Sequence, residues 1–394
     1  MTVRANKPAF NFREKLKELE RPIGLKGHEL MGAETAQDVR DFISAGRKNM
    51  IINGDMNISQ RNTTFSNPTS TANGYYTLDR FAFQASNTNY TVTRDTSAPA
   101  GFSKSLKVTM GTATTLDYMR LCSTIEGYNF RSAKFGTDEA EHLTLSFWVK
   151  SSLTGIFAIG FRNGTDLVTN ISHSFVTTYE IKNANTWEYK TVSISPEING
   201  TWSIDSNLGI VIMWDLGDSA ARCQSITSAV NSTWQTADAY FPVGFDETIK
   251  LAGTSSATWQ ITGIQLEVGR NATDFEYRSF GEELALCQRY YYEYPKGNTY
   301  NIIANGFANT SSNAIFHFQF PVPMRSTPST SGISGSWHVI DGTSHNVSSF
   351  SAITDATELT GRVDATTSGL TVGRGCMLRN NNDATATFGF SAEL

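Results

Sequence analysis

The sequence predicts a mainly β protein: a sandwich, then one helix, then a smaller β-domain, with a short helical arm in front. Three observations predict it. Several segments alternate apolar and polar residues with a period of two. Gly, Asn and Ser cluster between those segments as turns. Charged residues are 18% of the 394, below the roughly 25% of ordinary domains, and Ser, Thr, Asn and Gly fill the room. With 39% hydrophobic residues the chain can build packed cores.

The arm comes first, residues 1–49. It is dense in Lys, Arg and Glu, and Phe12, Leu16 and Leu19 fall at helical spacing until Pro22 and Gly24. Thr35 and Asp38 form an N-cap pair for a second helix, which Gly46 stops. Helices this short are marginal alone in water, so the arm is expected to gain order from a partner.

Residues 50–278 read as one sandwich. In "HLTLSFWVKSS", Leu143, Leu145, Phe147 and Val149 alternate with Thr144, Ser146, Trp148 and Lys150. "GIFAIGFRNG" repeats the pattern and ends on an Asn163–Gly164 turn. "LGIVIMWDLG" is apolar on both parities, as an inner strand should be. In "WQITGIQLEVG" the parity slips between Ile261 and Ile264, which predicts a bulge at Thr262–Gly263.

Residues 279–295 read as a linking helix. Ser279 and Glu282 match a capping box, and Phe280, Leu284, Cys287 and Tyr291 form one stripe. Pro295 and Gly297 end it. That stripe, widened by Tyr290 and Tyr292, is the candidate oligomer interface, because tyrosine offers flat, half-polar surface. Residues 296–394 read as the second β-domain, with a strand near Ile315–Phe320 closed by Pro321 and Pro323.

Function classes narrow by exclusion. A net charge of -5 gives no footprint for nucleic acid. The four cysteines lie far apart, without metal-ligand spacing, and are expected as free thiols of a chain folded in a reducing cytoplasm. The N-terminus lacks the apolar core of a signal peptide, and no apolar run approaches a membrane span. No nucleotide, metalloprotease or serine-hydrolase motif is present. Neither cofactor nor metal is expected, and the chain is not expected to be an enzyme.

"RKNMIINGDMNISQR", "YYTLDRFAF" and "IQLEVGRNATDFEYRSFGEELALCQRYYYEY" resemble segments of tail-fibre and related virion proteins of tailed, especially marine, bacteriophages. "FPVPMRSTPS", "FGFSAEL" and the leader "REKLKEL…PIGLKGHELMGAETAQDVRD" are similar to the same group. The resemblance implies a jelly-roll sandwich of the carbohydrate-binding-module type and a homotrimer. It also implies a place in the virion without itself deciding between tail and head; the expectation is a tail position, with the arm joined to other virion proteins and a host-surface glycan as partner. A purely structural head-fibre, decoration or tail-joining protein is the alternative. A virion-bound polysaccharide depolymerase is the second; Asp205, Asp215 and Asp218 are the carboxylates nearest one another for it.

Sugars are held by aromatic faces with polar side chains on the hydroxyls. Trp202 and Trp234 lie beside turns and polar residues, and with Trp187 and Tyr240 they are the candidate carbohydrate-binding residues.

Overall fold

The structure, a computed structural model, describes residues 47–66, 72–86, 89–114, 117–165, 172–226, 231–236 and 244–394. The helices expected in the arm lie outside these residues. Asn49–Leu394 forms one unit, and among the described residues its two largest hydrophobic clusters are two separate cores.

The first core sits between two antiparallel sheets. One has six strands in the order Thr64–Ser66, Tyr90–Asp95, Ser105–Met110, Thr258–Val268, Leu143–Ser151, Glu188–Ile194. The other has seven, in the order Trp234–Thr236, His173–Ile181, Gly155–Arg162, Leu208–Asp215, Met119–Glu126, Phe81–Ala85, Ala72–Tyr75. Most neighbours in each sheet are not consecutive in the chain, which gives the jelly-roll winding. Leu143, Leu145, Phe147 and Val149 turn inward, as their parity requires. Leu208–Asp215 is buried along its whole length, between Gly155–Arg162 and Met119–Glu126.

The expected bulge is present. Thr262 pairs with Trp148, but the next partner pair is Gln265 with Ser146. One extra residue lets Trp259, Ile261, Ile264 and Leu266 all enter the same core. Gly263 takes φ +63°, and a Cβ there would lie 2.7 Å from the Phe102 ring. Gly263→Ala should therefore cost about 1–3 kcal/mol, from the left-handed backbone and the overpacking together. A denaturation midpoint equal to that of the unaltered protein would show that the bulge tolerates a side chain.

The second core belongs to the C-terminal part. A seven-stranded sheet, which includes Ile302–Thr310, Asn313–Gln319 and Gly375–Asn380, accompanies a three-stranded sheet of Tyr291–Glu293, Thr387–Ser391 and Ser329–Ser334. Phe316, Phe318, Trp337, Phe388 and Phe390 fill this core. Phe318 and Phe388 stack at 5.0 Å.

The linking helix is shorter than the 279–295 segment. It spans Phe280–Gln288, and Ser279 caps it by accepting the Glu282 N–H at 3.3 Å. Tyr291–Glu293 is a strand paired with Thr387–Ser391, so long-range pairing ends the helix well before Pro295. The stripe also divides. Glu283 is buried and accepts the Asn53 N–H, with Arg278 3.3 Å away. That face of the helix, with Cys287 and Tyr290, packs on Ile52 and Ile58. Phe280, 64% exposed, points elsewhere.

The candidate interface is corrected accordingly. Cys287, Tyr290 and Tyr291 are covered by their own chain, while Leu284 and Tyr292 are half-buried. Tyr290 donates to Glu126, and Arg80 stacks on its ring at 3.5 Å. Tyr291 donates to Glu293 at 2.7 Å, and Arg61 stacks on its ring at 3.5 Å. Two arginines of the sandwich thus sit on two consecutive tyrosines, and these rings join the two cores within one chain. Among the described residues no helix is long and apolar enough to cross a membrane.

Candidate functional site

The structure brings two of the four candidate aromatics together. Trp202 and Trp234, far apart in sequence, meet at 5.4 Å with their planes at 84°. Each indole N–H is satisfied by a backbone carbonyl: Trp202 donates to Asn199 at 3.0 Å, and Trp234 to Ser195 at 2.8 Å. Phe130 and Phe135 complete the cluster. Trp202 is only 7% exposed, so its place beside a turn gives a lining role rather than an open face. Gly136 and Gly200, both with positive φ, let two loops meet here. A Cβ on Gly136 would lie 2.7 Å from the Gly200 carbonyl oxygen.

Above this cluster a cleft of about 710 Å³ opens. Phe130, Phe135, Trp202 and Ile204 line it, with Arg131 and Lys134 among its charged residues. Lys134 pairs with Glu139 at 2.9 Å on the rim.

Trp187 lies elsewhere, and Tyr240 is outside the described residues. Trp187 belongs to an aromatic platform on the outer face of the six-stranded sheet. The polar parity of Leu143–Ser151 puts Trp148 and Lys150 on that face. Register pairs Trp148 with Tyr189 of the edge strand, and the rings lie 5.4 Å apart. Tyr189 is 44% exposed. Lys150 Nζ sits 5.0 Å from the Trp187 ring and donates to Ser97 Oγ at 2.7 Å. Partial burial pushes the Lys150 pKa down.

Next to the rings runs a polar row. Thr64, Thr93, Lys107, Gln260 and Lys150 are successive cross-strand partners. Asp95 pairs with Lys107 at 3.6 Å. At the edge, Glu188 accepts the backbone N–H groups of Lys182 at 3.0 Å and Asn183 at 2.7 Å, and binds Lys190 at 2.6 Å. Burial alone would raise the Glu188 pKa, but these donors hold it below the ordinary carboxylate value. The donors fix the turn that presents Trp187.

Neither Trp148 nor Tyr189 was among the four sequence candidates. The signal for Trp148 was there: a tryptophan on the polar parity of an amphipathic strand faces solvent. Tyr189 becomes visible only once the two strands are in register.

The three carboxylates do not form a sugar-cleaving pair. Asp205 caps its own turn through Ser203 and Asn207. Asp215 and Asp218 are buried. Asp215 binds Lys250 and accepts the N–H groups of Gly217 and Asp218 at 3.0 and 2.9 Å.

No family model and no curated protein matches the chain. Among solved structures, the enzymatically active domain of tailspike protein 4 from bacteriophage CBA120 aligns over 58% of this chain and 22% of its own, at 13% identity and TM-score 0.31. The chain therefore spans less than two thirds of that tailspike. A CBM4 carbohydrate-binding module aligns over 56% of this chain and 99% of its own, at 11% identity and TM-score 0.28. The family 11 carbohydrate-binding module of a cellulosomal cellulase from Clostridium thermocellum aligns over 52% and 96%, at 10% identity and TM-score 0.27. Likeness at this level leaves function to be read from the chain's own residues.

Proposed function

We propose that the protein is a bacteriophage tail-fibre structural protein that attaches the virion to its host by binding a surface glycan. The observation that carries the glycan reading is the Trp148–Tyr189 pair. Trp148 is half-buried and Tyr189 exposed, and two large rings held side by side on the outer face of the sheet suit the C–H face of a sugar ring. The exposed or half-buried Thr and Lys side chains of the adjoining row supply partners for hydroxyls. The buried carboxylates favour binding over hydrolysis.

The virion part is supported by the sequence resemblance at the strand-to-helix junction and at both ends of the chain. In this reading the arm, 1–49, docks on other virion proteins and the assembly is a homotrimer. Of the tyrosine segment, Phe280, Leu284 and Tyr292 are left to face a neighbouring copy.

A bacterial envelope polysaccharide array tests the platform. Trp148→Ala with Tyr189→Ala should weaken binding by about 2 kcal/mol or more, roughly thirtyfold, with unchanged melting temperature. Equal binding by the double variant would remove the platform from the reading. A wild-type protein that binds no envelope glycan would remove the reading itself.

A further inference from the structure

We propose that the Trp202 cleft is a second saccharide subsite, distinct from the platform, and that it takes an N-acetylated sugar with the acetamido methyl pointing inward. This rests on the glycan-binding reading above. The cleft differs from the platform in what it offers. Its rings are locked edge to face, Phe130 against Phe135 at 84° and Phe135 against Trp202 at 85°, so no open flat face is available for stacking. The Trp202 N–H is spent on Asn199.

The hydroxyls nearest the floor are spent too. Thr137 donates to the Lys134 carbonyl at 2.7 Å, and Ser203 to Asp205 at 2.6 Å. What remains inside is apolar. Ile204 is 67% exposed at the wall, although burying such a side chain is worth about 1.5–3 kcal/mol. Charge lies on the lining loops, in Arg131, Asp138 and the Lys134–Glu139 pair.

A ligand that matches this arrangement carries a small apolar group for the interior and polar groups for the charged rim. A plain hexose has no methyl group to put there, and its hydroxyls would find neither donor nor acceptor at the floor. An acetamido group supplies a methyl for Trp202, Phe135 and Ile204, while its amide and the ring hydroxyls stay near the rim. The cleft volume of about 710 Å³ lies within the range of roughly 300–1,000 Å³ seen for ligand sites, enough for more than one sugar ring.

Chitotriose and cellotriose test this on the full chain, because they share linkage and length and differ in the acetamido groups. Titration calorimetry should show chitotriose binding at least about tenfold more tightly, the discrimination one methyl brings in an apolar pocket. Ile204→Ser, at an exposed position that leaves the core intact, should abolish that preference. Trp148→Ala with Tyr189→Ala should leave the preference in place. Equal affinities for the two trisaccharides, no binding of chitotriose, or a preference that survives Ile204→Ser would each overturn the proposal. If cellotriose still binds and the platform variant weakens it, the glycan reading stands while the acetamido subsite falls. If neither sugar binds and the envelope array is blank, both fall.

Discussion

Replacing Glu393 by Ala is expected to destabilise the protein by about 3–5 kcal/mol, the cost of removing one partner from a buried ion pair. Glu393 binds two arginines of the sandwich, Arg80 through one oxygen and Arg61 at 3.0 Å through the other. Arg80 is the critical one. It is 1% exposed, it donates to the Thr124 carbonyl at 2.9 Å and hydroxyl at 2.8 Å, and its guanidinium lies on the Tyr290 ring. Burial works against its charge, but the Glu393 carboxylate more than offsets that and holds its pKa above the ordinary value. Without Glu393 the charge stays buried with only neutral acceptors and a ring face. Arg61 keeps Asp79 at 3.7 Å and suffers less.

The same contact ties the end of the C-terminal part to the sandwich. Arg325 reinforces it by donating to the carbonyls of Ala392 at 2.7 Å, Glu393 at 2.9 Å and Ser206 at 2.9 Å. Chemical denaturation reads the outcome. A second variant, Arg80→Met with Glu393→Ala, removes the orphaned charge and should recover part of the loss. If Glu393→Ala costs less than about 1 kcal/mol, the joint between the cores is held by apolar packing and the ion pairs are incidental.

The residues at this joint show what the sequence could and could not reveal. Local features were legible. The parity slip located the bulge at Thr262–Gly263, the Ser279 cap located the helix start, and the double-faced apolar run located the central strand Leu208–Asp215. Each depends on residues a few positions apart. The tyrosines were not legible in that way. Tyr291 and Tyr292 leave the helix because Ser391 and Phe390, about a hundred residues later, pair with them. Tyr290 turns inward because Glu126, at the end of one strand, and Arg80, just before another, wait for it far upstream.

The same limit applies to the binding residues. Trp202 sits in a polar, turn-rich stretch, yet Phe130 and Phe135 cover most of it from another loop. Trp148 carried its signal locally, in strand parity, but its partner Tyr189 required the pairing of two strands. Polar networks and shared clefts are long-range facts. Amphipathic period and capping are short-range ones.

Asp218→Asn is expected to make the protein more stable at neutral and alkaline pH, and to leave it nearly unchanged near pH 4. Asp218 is buried beside Asp215. Its Oδ1 accepts the Met119 N–H at 3.0 Å, but its Oδ2 has no hydrogen-bond donor. Arg120 stands 3.6 Å away, too far for a strong bond, while Lys250 is committed to Asp215. Burial is the main cause that pushes the Asp218 pKa up to about 7, the neighbouring Asp215 charge adds to it, and Arg120 only partly opposes it.

The sign follows from proton linkage. In the unfolded chain an aspartate titrates near its ordinary value of about 3.9. Between that pH and about 7 the native protein holds a proton that the unfolded chain has released. Stability must then fall as pH rises through this window, by about 4 kcal/mol in all for a group this deeply buried. Asn carries no charge at any pH and keeps an acceptor for Met119, so the variant should lose this part of the slope. Urea midpoints from pH 4 to pH 8 for the two proteins isolate the effect, because Asp79, whose pKa burial raises to about 6, titrates alike in both. A variant less stable than the parent at pH 8 would mean that Asp218 and Arg120 form a net favourable ion pair. Asp218 would then be ionised throughout, and the buried cluster would hold two carboxylates against two cations.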